Sequence, residues 1–329
     1  MKNWQNFCKM GFDLHTARLA GAARQALFPR RCLYCGDIAA PPGHLICPDC
    51  EPELPYIRGK RCEKCGKQLQ VNCGTSFQAD SGTSLQASGQ TLNHFCRNCS
   101  GHSRSFSFSL ALLNYDGISA EIMAGLKYLQ KKEYADTLAW LLCRYLGGNL
   151  RMLGIRTVVP VPVHAKRRKE RGYNQAEELG RSLCVFLNAD VPALFRMGLS
   201  EEMIREVQLL KQYQEEKVRD AGTAYRNKAH WQAMPSDALF CLRTDIFIRT
   251  KNTRAQKNLG AAERLRNLQQ AFSVPRKQHR DQLAELPEAV LLLDDIYTTG
   301  ATMEACTRVL LSAGVQKVFG LCVCAGRDV

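Results

Sequence analysis

No stretch of these 329 residues supplies the ~18–20 consecutive apolar side chains that a membrane-spanning helix needs. No secretory leader is expected either, because "LAGAARQAL" near the N-terminus is interrupted by Arg24 where a signal peptide keeps an apolar core. The two absences predict a chain without membrane insertion, located in the cytoplasm. Reducing conditions there disfavour structural disulfides, so the sixteen cysteines must mostly be metal ligands or small buried hydrophobes. Acidic side chains are also in short supply, 31 against 45 Lys and Arg, which leaves a net charge of +14. What the chain does have is 45% hydrophobic residues, enough over this length for a real core and for more than one domain.

Spacing sorts the cysteines. Eight form four C-x-x-C pairs, Cys32/Cys35, Cys47/Cys50, Cys62/Cys65 and Cys96/Cys99, and the other eight are scattered singly. Two thiolates at this spacing hold one ion from one tight turn, and Gly36 and Gly66 directly after their pairs supply the φ > 0 freedom such a knuckle needs. Two pairs complete a tetrahedral site, so the reading is two structural Zn²⁺ ions. A redox C-x-x-C would normally occur once, in a βαβ setting, and the compartment opposes a disulfide framework. Sequential pairing joins 32/35 with 47/50 and 62/65 with 96/99, whereas a crossed arrangement joins 32/35 with 62/65 and 47/50 with 96/99. Spacing leaves both open. A module this small has too little core to fold without its metal. Between Cys65 and Cys96 the chain is rich in Ser, Gly, Gln and Thr, with little to bury, which predicts a flexible insert over 70–94.

Past residue 100 the segments become longer and periodic. Residues 106–115 alternate as a strand does, and "SAEIMAGLKYLQKKEYADTLAWLLCRYL" then places Ile122, Leu126, Leu129, Leu138, Leu141 and Leu142 at helical spacing. "IRTVVPVPVH" reads as a buried strand followed by a loop at Pro160 and Pro162. Strands alternating with helices predict an α/β domain with a largely parallel sheet. Further on, "AVLLLDD" is an apolar strand, "IYTTGAT" the turn after its carboxyl end, and "MEACTRVLLSAG" an amphipathic helix with Gly314 at its C-cap position. Ligands of open α/β sheets sit at such strand ends, facing the free N–H groups of a helix N-terminus. Thr298, Thr299, Gly300, Ala301 and Thr302 would wrap a phosphate, Gly300 allowing close backbone approach and the helix dipole favouring the anion. Asp294 and Asp295 beside it can accept hydrogen bonds from the vicinal hydroxyls of a sugar. A ribose 5-phosphate satisfies both halves, whereas an acidic pair that merely capped the helix would explain one aspartate and not the rest of the pattern.

The stretch "DDIYTTGAT" resembles the phosphoribosyl-pyrophosphate (PRPP) motif of type I phosphoribosyltransferases and looks most like its form in the ComF family of competence-associated proteins. "ALFPRRCLYCG" is similar to that family's entry into its zinc module, a double zinc ribbon. "YDGISAEIMAGLKY", "VPVPVHAKRRKERGYNQAEELG" and "RTKNTRAQKNLGAAERLRNLQQAF" resemble its later blocks, in order, and the resemblance covers most of residues 27–325. It implies a type I phosphoribosyltransferase-like parallel sheet flanked by helices over 105–329, preceded by a helical lead-in at 1–28 and a small Cys-rich double zinc-ribbon module at 29–104. Residues about 190–245 exceed what the family needs. There "SEEMIREVQLLKQYQEEKVRD" has Ser200 as N-cap, acids in its first turn and Met203, Val207, Leu210 and Tyr213 on one face, which predicts an extra helix or helical hairpin used for packing or dimerisation.

Much of the excess charge sits in two blocks. Residues 164–171, "HAKRRKER", carry five basic groups and one acid, and residues 249–266 carry six against one. Such runs are most often solvated helix faces. The resemblance gives the first another use, since phosphoribosyltransferases place a pyrophosphate-holding loop after that strand. Lys166, Arg167, Arg168 and Arg171 are then candidates to neutralise the diphosphate, with Gly172, Tyr173 and Asn174 closing the turn and Mg²⁺ bridging ligand oxygens. The reaction so implied is displacement of pyrophosphate from the anomeric carbon of PRPP by a nitrogen nucleophile, with electrostatic help from the protein. No side chain stands out as its general base. The second block, with Arg254, Lys257, Arg264 and Arg266, joins the basic flanks of the zinc module as a candidate surface for single-stranded DNA, and Tyr34 and Tyr56 offer rings for base stacking or for core packing.

Three functions compete. The first is a ComF-like DNA-uptake factor that binds PRPP and handles incoming single-stranded DNA with other transformation proteins. The second is a metabolic phosphoribosyltransferase for a small nitrogenous acceptor, and the third a non-catalytic PRPP-sensing or DNA-binding adaptor. After the motif helix only "VQKVFGLCVCAGRDV" remains, too little for the hood that salvage enzymes fold over a base, which weighs against the second.

Overall fold

The computed structural model describes residues 2–69, with side chains from residue 14 onward, and residues 94–221, 239–251, 266–275 and 286–327. The Ser/Gly-rich insert up to residue 93 and the candidates Arg254, Lys257 and Arg264 lie outside the described residues. The chain opens with α1 (Lys2–Leu27), and the described part of the Cys-rich module adds α2 (Arg97–Ser100). Then follow β1 (Ser109–Asn114), α3 (Gly117–Tyr128), α4 (Tyr134–Met152), β2 (Thr157–Pro160), α5 (Ala165–Arg171) and α6 (Gln175–Asn188). Next come α7 (Val191–Arg196) and α8 (Glu201–Asp220), then β3 (Cys241–Leu242), β4 (Ile248–Arg249), β5 (Phe272–Ser273) and β6 (Ala289–Tyr297). The last two elements are α9 (Ala301–Ser312) and β7 (Lys317–Ala325).

Five strands form one parallel sheet in the order β1-β7-β6-β2-β3, and β4 and β5 make a separate antiparallel pair. The sheet is covered on both faces, which is why β6 reads as an unbroken apolar run. Leu291 and Leu293 enter the core formed with α3, α4 and α6, and Val290 and Leu292 enter the core formed with α9. α4 is buried nearly all round, with Trp140 packed against Phe186 of α6 at 5.6 Å between ring centroids.

Several expectations need correction. The long helical stretch is two helices, and Leu129, assigned to their apolar face, is exposed at the break between them. Residues 165–171, where the resemblance implied a pyrophosphate-holding loop, form helix α5, the solvated helix that a basic run more often makes, closed by Gly172 at φ +81°. Gly314 lies one residue beyond the α9 cap, Ala313, with φ +114°. On α8, Ser200 does cap the helix, its Oγ accepting from Met203 N–H at 3.2 Å. The buried face, however, runs through Met203, Ile204, Val207 and Gln214, while Tyr213 is exposed beneath the ammonium of Lys217. Gln214 is drawn inward by its own bonds, accepting from Arg151 Nε at 3.1 Å and donating to the Cys143 carbonyl at 2.8 Å.

The Cys-rich module straddles one edge of the sheet. Residues 55–57 run antiparallel to β1, with Ile57 N–H donating to the Leu112 carbonyl at 2.9 Å and Asn114 N–H to the Pro55 carbonyl at 2.8 Å. They cover backbone that a β1 edge would otherwise leave open. The first half of the module lies on the α4 face, where Leu33, Leu45 and Leu54 share a core with Leu112 and Trp140. Its second half crosses to the α9 face, where Ile57, Cys65 and Phe106 pack with Tyr297 and Met303. Arg30, 7% exposed, clamps the first half in place through Asp136 Oδ2 at 3.1 Å and the Met197 carbonyl at 3.0 Å. No described helix is long and apolar enough to cross a membrane.

Candidate phosphate site and zinc centres

The sulfurs of Cys32, Cys35, Cys47 and Cys50 lie within 4.8 Å of one another, and so do those of Cys62, Cys65, Cys96 and Cys99. Four sulfurs at about 2.3 Å around one Zn²⁺ stand about 3.8 Å apart, so each set fits one tetrahedral ion. The pairing is therefore sequential, which spacing alone had left open. Each pair sits in a tight turn, with N–H groups of Gly36, Cys50, Gly66 and Cys99 returning to the carbonyls of Cys32, Cys47, Cys62 and Cys96 at 2.9–3.0 Å. Gly36 and Gly66 hold φ +79° and +76°, as their knuckles require. Of the single cysteines, Cys143, Cys184, Cys306, Cys322 and Cys324 are buried and Cys241 is exposed. Two Cys₄ centres of this geometry are consistent with structural Zn²⁺.

β6 runs out at Tyr297 and α9 begins at Ala301. Gly300 is the N-cap residue at φ +79° and offers no side-chain cap, and the Ala301 N–H makes only a long 3.5 Å bond to Thr299 Oγ1. The first N–H groups of α9 are thus left for an anion. Thr298 and Thr299 are exposed, Ala301 and Thr302 half-buried. A Cβ on Gly300 would stand 2.1 Å from Tyr297 Oη. Glycine is therefore demanded at 300 by its own φ and by Tyr297 beneath it.

Neighbouring strand residues lean to opposite faces, but at this strand end the two carboxyls remain close enough to act on each other. Asp295 meets Lys127 of α3, Oδ2 to Nζ 2.8 Å. Asp294 turns to the α9 face, where its charge acts on Cys306, Cys322 and Arg249. Its carboxyl is pushed up to about 7, first by burial and then by the charge of Asp295, against the pull of the Asp295 N–H that donates to it at 2.9 Å and of Lys127. Lys127 thus pairs with Asp295, while burial and the neighbouring carboxylate favour the protonated form of Asp294.

The basic candidates divide in the same way. Arg167 lies close enough to Arg249 to help lower that guanidinium's pKa, after the larger effect of burial, and Arg249 in turn faces Asp294. Arg168 pairs with Glu177 at 3.2 Å, Arg171 stands over the Tyr128 ring at 5.1 Å, and Lys166 is exposed on α5. Gly172 caps α5, while Asn174 caps α6 and ties it to the Val161 carbonyl at 3.1 Å. The Tyr173 hydroxyl donates to the Leu126 carbonyl. Arg266 is exposed, Tyr34 is at the edge of exposure, and Tyr56 packs on Tyr145 at 4.7 Å.

Four residues that sequence reading gave no role at this site stand beside it: Lys127, Arg249, Lys67 and Arg104. Arg104, just after the second zinc centre, donates through Nη2 to the Thr299 carbonyl at 2.9 Å. Its neighbour Ser105 gives its N–H and hydroxyl to the buried Glu304 carboxylate of α9 at 2.8 and 2.7 Å. Lys127 and Arg249 were within quoted blocks and could have been suspected. Lys67 and Arg104 carry no signal in sequence, because their place depends on how the module docks.

Fold and centres together define a parallel α/β domain with an uncapped strand–loop–helix end, joined across its β1 edge to a pair of Cys₄ knuckle modules. Residues 23–100 match the double zinc ribbon domain family. The chain is similar to Competence protein F of Haemophilus influenzae, 24% identical over 298 residues that make up 88% of this chain and 95% of that protein. It is similar also to DNA utilization protein YhgH of Salmonella typhimurium, 23% identical over 235 residues, 70% of this chain and 77% of that one. These relatives show the resemblance to the ComF family that the ordered motifs carry.

Proposed function

We propose that this chain is a ComF-like cytoplasmic protein that binds PRPP through its α/β domain and acts in DNA uptake, handling single-stranded DNA with other transformation proteins. The observation that carries the reading is the end of β6, where an uncapped helix N-terminus follows two carboxylates, in a chain whose relatives are named for competence and DNA utilization. In this reading Thr298 to Thr302 hold the 5′-phosphate, and Asp294 and Asp295 accept from the ribose hydroxyls. Arg167, with Lys166, Arg168 and Arg171 from α5, faces the diphosphate, and Arg168 exchanges Glu177 for it. Mg²⁺ bound with PRPP supplies further charge neutralisation to the diphosphate. The chain's own contribution to transfer is to orient the sugar and to stabilise the departing pyrophosphate as the anomeric C–O bond breaks and a nitrogen takes its place.

The test is incubation of zinc-loaded protein with PRPP, Mg²⁺ and a panel of nitrogenous acceptors, following pyrophosphate. Release with one acceptor identifies a transferase, binding without release supports a PRPP-responsive adaptor, and absence of binding removes PRPP from the account. Single-stranded DNA is tested through salt, since each phosphate contact on a single strand contributes about −0.7 to the log–log slope. Replacing Arg254, Lys257, Arg264 and Arg266 by Ala should flatten that slope. An unchanged slope removes this block from the DNA surface.

A further inference from the structure

Lys67 follows the Cys62/Cys65 knuckle by two residues, and its carbonyl accepts the Cys62 N–H at 2.8 Å, so the start of its side chain is fixed by the ribbon. The residue is 3% exposed. Among the described residues no carboxylate pairs with its ammonium and no oxygen or sulfur accepts from it; its charge rests over the Tyr297 ring at 6.0 Å. The direction of the side chain is given by Gly326, where an added Cβ would lie 3.9 Å from Lys67 Nζ, 3.8 Å from the Tyr297 carbonyl and 4.0 Å from Thr298 Cα. The ammonium therefore stands where β6 and β7 end, beside the first residue of the loop that leads into α9. Tyr297 Oη, in the same wall, is also buried and without a partner.

With its stem buried in the ribbon and no hydrogen-bond acceptor for its ammonium among the described residues, Lys67 is left to take a ligand at this wall. An uncapped helix N-terminus beside it wants the same ligand, an anion. We infer that the second zinc ribbon supplies a binding residue to the phosphate site: Lys67 pairs with the phosphate monoester held by Thr298 to Thr302. This rests on the phosphate reading of that loop. It gives the ribbon a share in ligand binding that the α/β domain does not provide from its own strands.

Calorimetry on the full zinc-loaded chain, with inorganic phosphate and separately with PRPP and Mg²⁺, tests it in wild type, Lys67→Met and Lys67→Arg. Losing one charge-assisted contact should weaken both ligands by about ten- to a hundredfold in Lys67→Met. Lys67→Arg should restore most of the affinity, and without ligand Lys67→Met should keep two zinc ions and melt no lower than wild type. Unchanged affinity for both ligands in Lys67→Met, with wild type binding normally, overturns the inference and leaves the loop reading intact. A Lys67→Met chain that loses zinc or melts lower without ligand assigns the lysine to the ribbon's own stability and likewise overturns it. Failure of wild type to bind either ligand removes the loop reading first, and this inference with it.

Discussion

The first ribbon leaves Cys35 exposed and rests against α4, whereas the second buries Cys62, Cys65 and Cys96 and rests against α9 and the loop before it. Both are built from the same kind of turn and, with four sulfurs each, suit the same ion. The difference comes from the chain crossing the β1 edge between them. The first ribbon is attached by structural contacts, Arg30 to Asp136 and Thr137 Oγ1 to the Leu45 carbonyl at 2.9 Å. The second is attached through residues that also touch the candidate site, Arg104 to Thr299 and Ser105 to Glu304. Two copies of one metal module thus carry different loads: loss of the first metal should be felt in stability, loss of the second in ligand binding.

The sharpest way to break this comparison is to remove one thiolate from each centre. Cys65→Ser and Cys35→Ser should each leave one zinc per chain. Structural zinc contributes on the order of 10 kcal/mol to a small module, so its loss next to Thr299 should weaken phosphate and PRPP by about a hundredfold or more in Cys65→Ser. Cys35→Ser should change them by less than about threefold at a temperature where it remains folded. Equal losses would erase the distinction.

A smaller effect is expected from the clamp on the first ribbon. Arg30→Met leaves Asp136 largely buried without its cation, which should cost about 3–5 kcal/mol of unfolding free energy in urea with PRPP affinity unchanged. A loss below about 1 kcal/mol would place the attachment elsewhere.

The α9 face should also show a pH signature of its own. Asp294 is raised from the ordinary carboxylate range to about 7 in the fold, so between about pH 4 and 7 the folded chain keeps a proton that the unfolded chain has lost. Stability is then highest below the unfolded value and declines as pH rises toward 7. Asp294→Asn should remove this decline, so that the variant gains on wild type between pH 5 and pH 8 in urea midpoint. Asp295, Lys127, Arg249 and Cys306, which surround the carboxyl, are unchanged in that comparison. Parallel pH profiles would show that Asp294 is ionised throughout.

The mildest prediction concerns access. A chelator with thiol labelling and mass spectrometry should find Cys35, Cys47 and Cys50 modified before Cys62, Cys65 and Cys96, because the first centre is open on one side. Simultaneous labelling would mean that the two ribbons open as one unit.

Legibility in the sequence followed locality. β6 and α9 were readable because a central parallel strand must be apolar on both faces and a helix must follow it by a short turn. The cysteine knuckles were readable because both ligands of a pair lie within one turn. Pairing of the knuckles was not, since it depends on tertiary placement. α5 was legible only as either a solvated helix face or a loop, because five of its seven residues are charged basic groups and leave no apolar period to decide it. Tyr213 was misplaced because the buried face of α8 admits a glutamine, Gln214, whose polar partners lie on α4. The opposite directions of Asp294 and Asp295 follow from strand geometry, but their partners Lys127 and Arg249 come from elements more than forty residues away.

The central claim is that the β6–α9 end holds a phosphorylated ribose by two separable halves. Titrating PRPP with Mg²⁺, and inorganic phosphate alone, into zinc-loaded wild type and the Asp294→Asn, Asp295→Asn double variant tests it directly. Each lost charge-assisted hydrogen bond costs on the order of 1.5–3 kcal/mol, so PRPP should weaken by roughly two to four orders of magnitude while phosphate binds nearly as before. PRPP binding that survives the double change undiminished would contradict the account, because the carboxylates would then not hold the sugar.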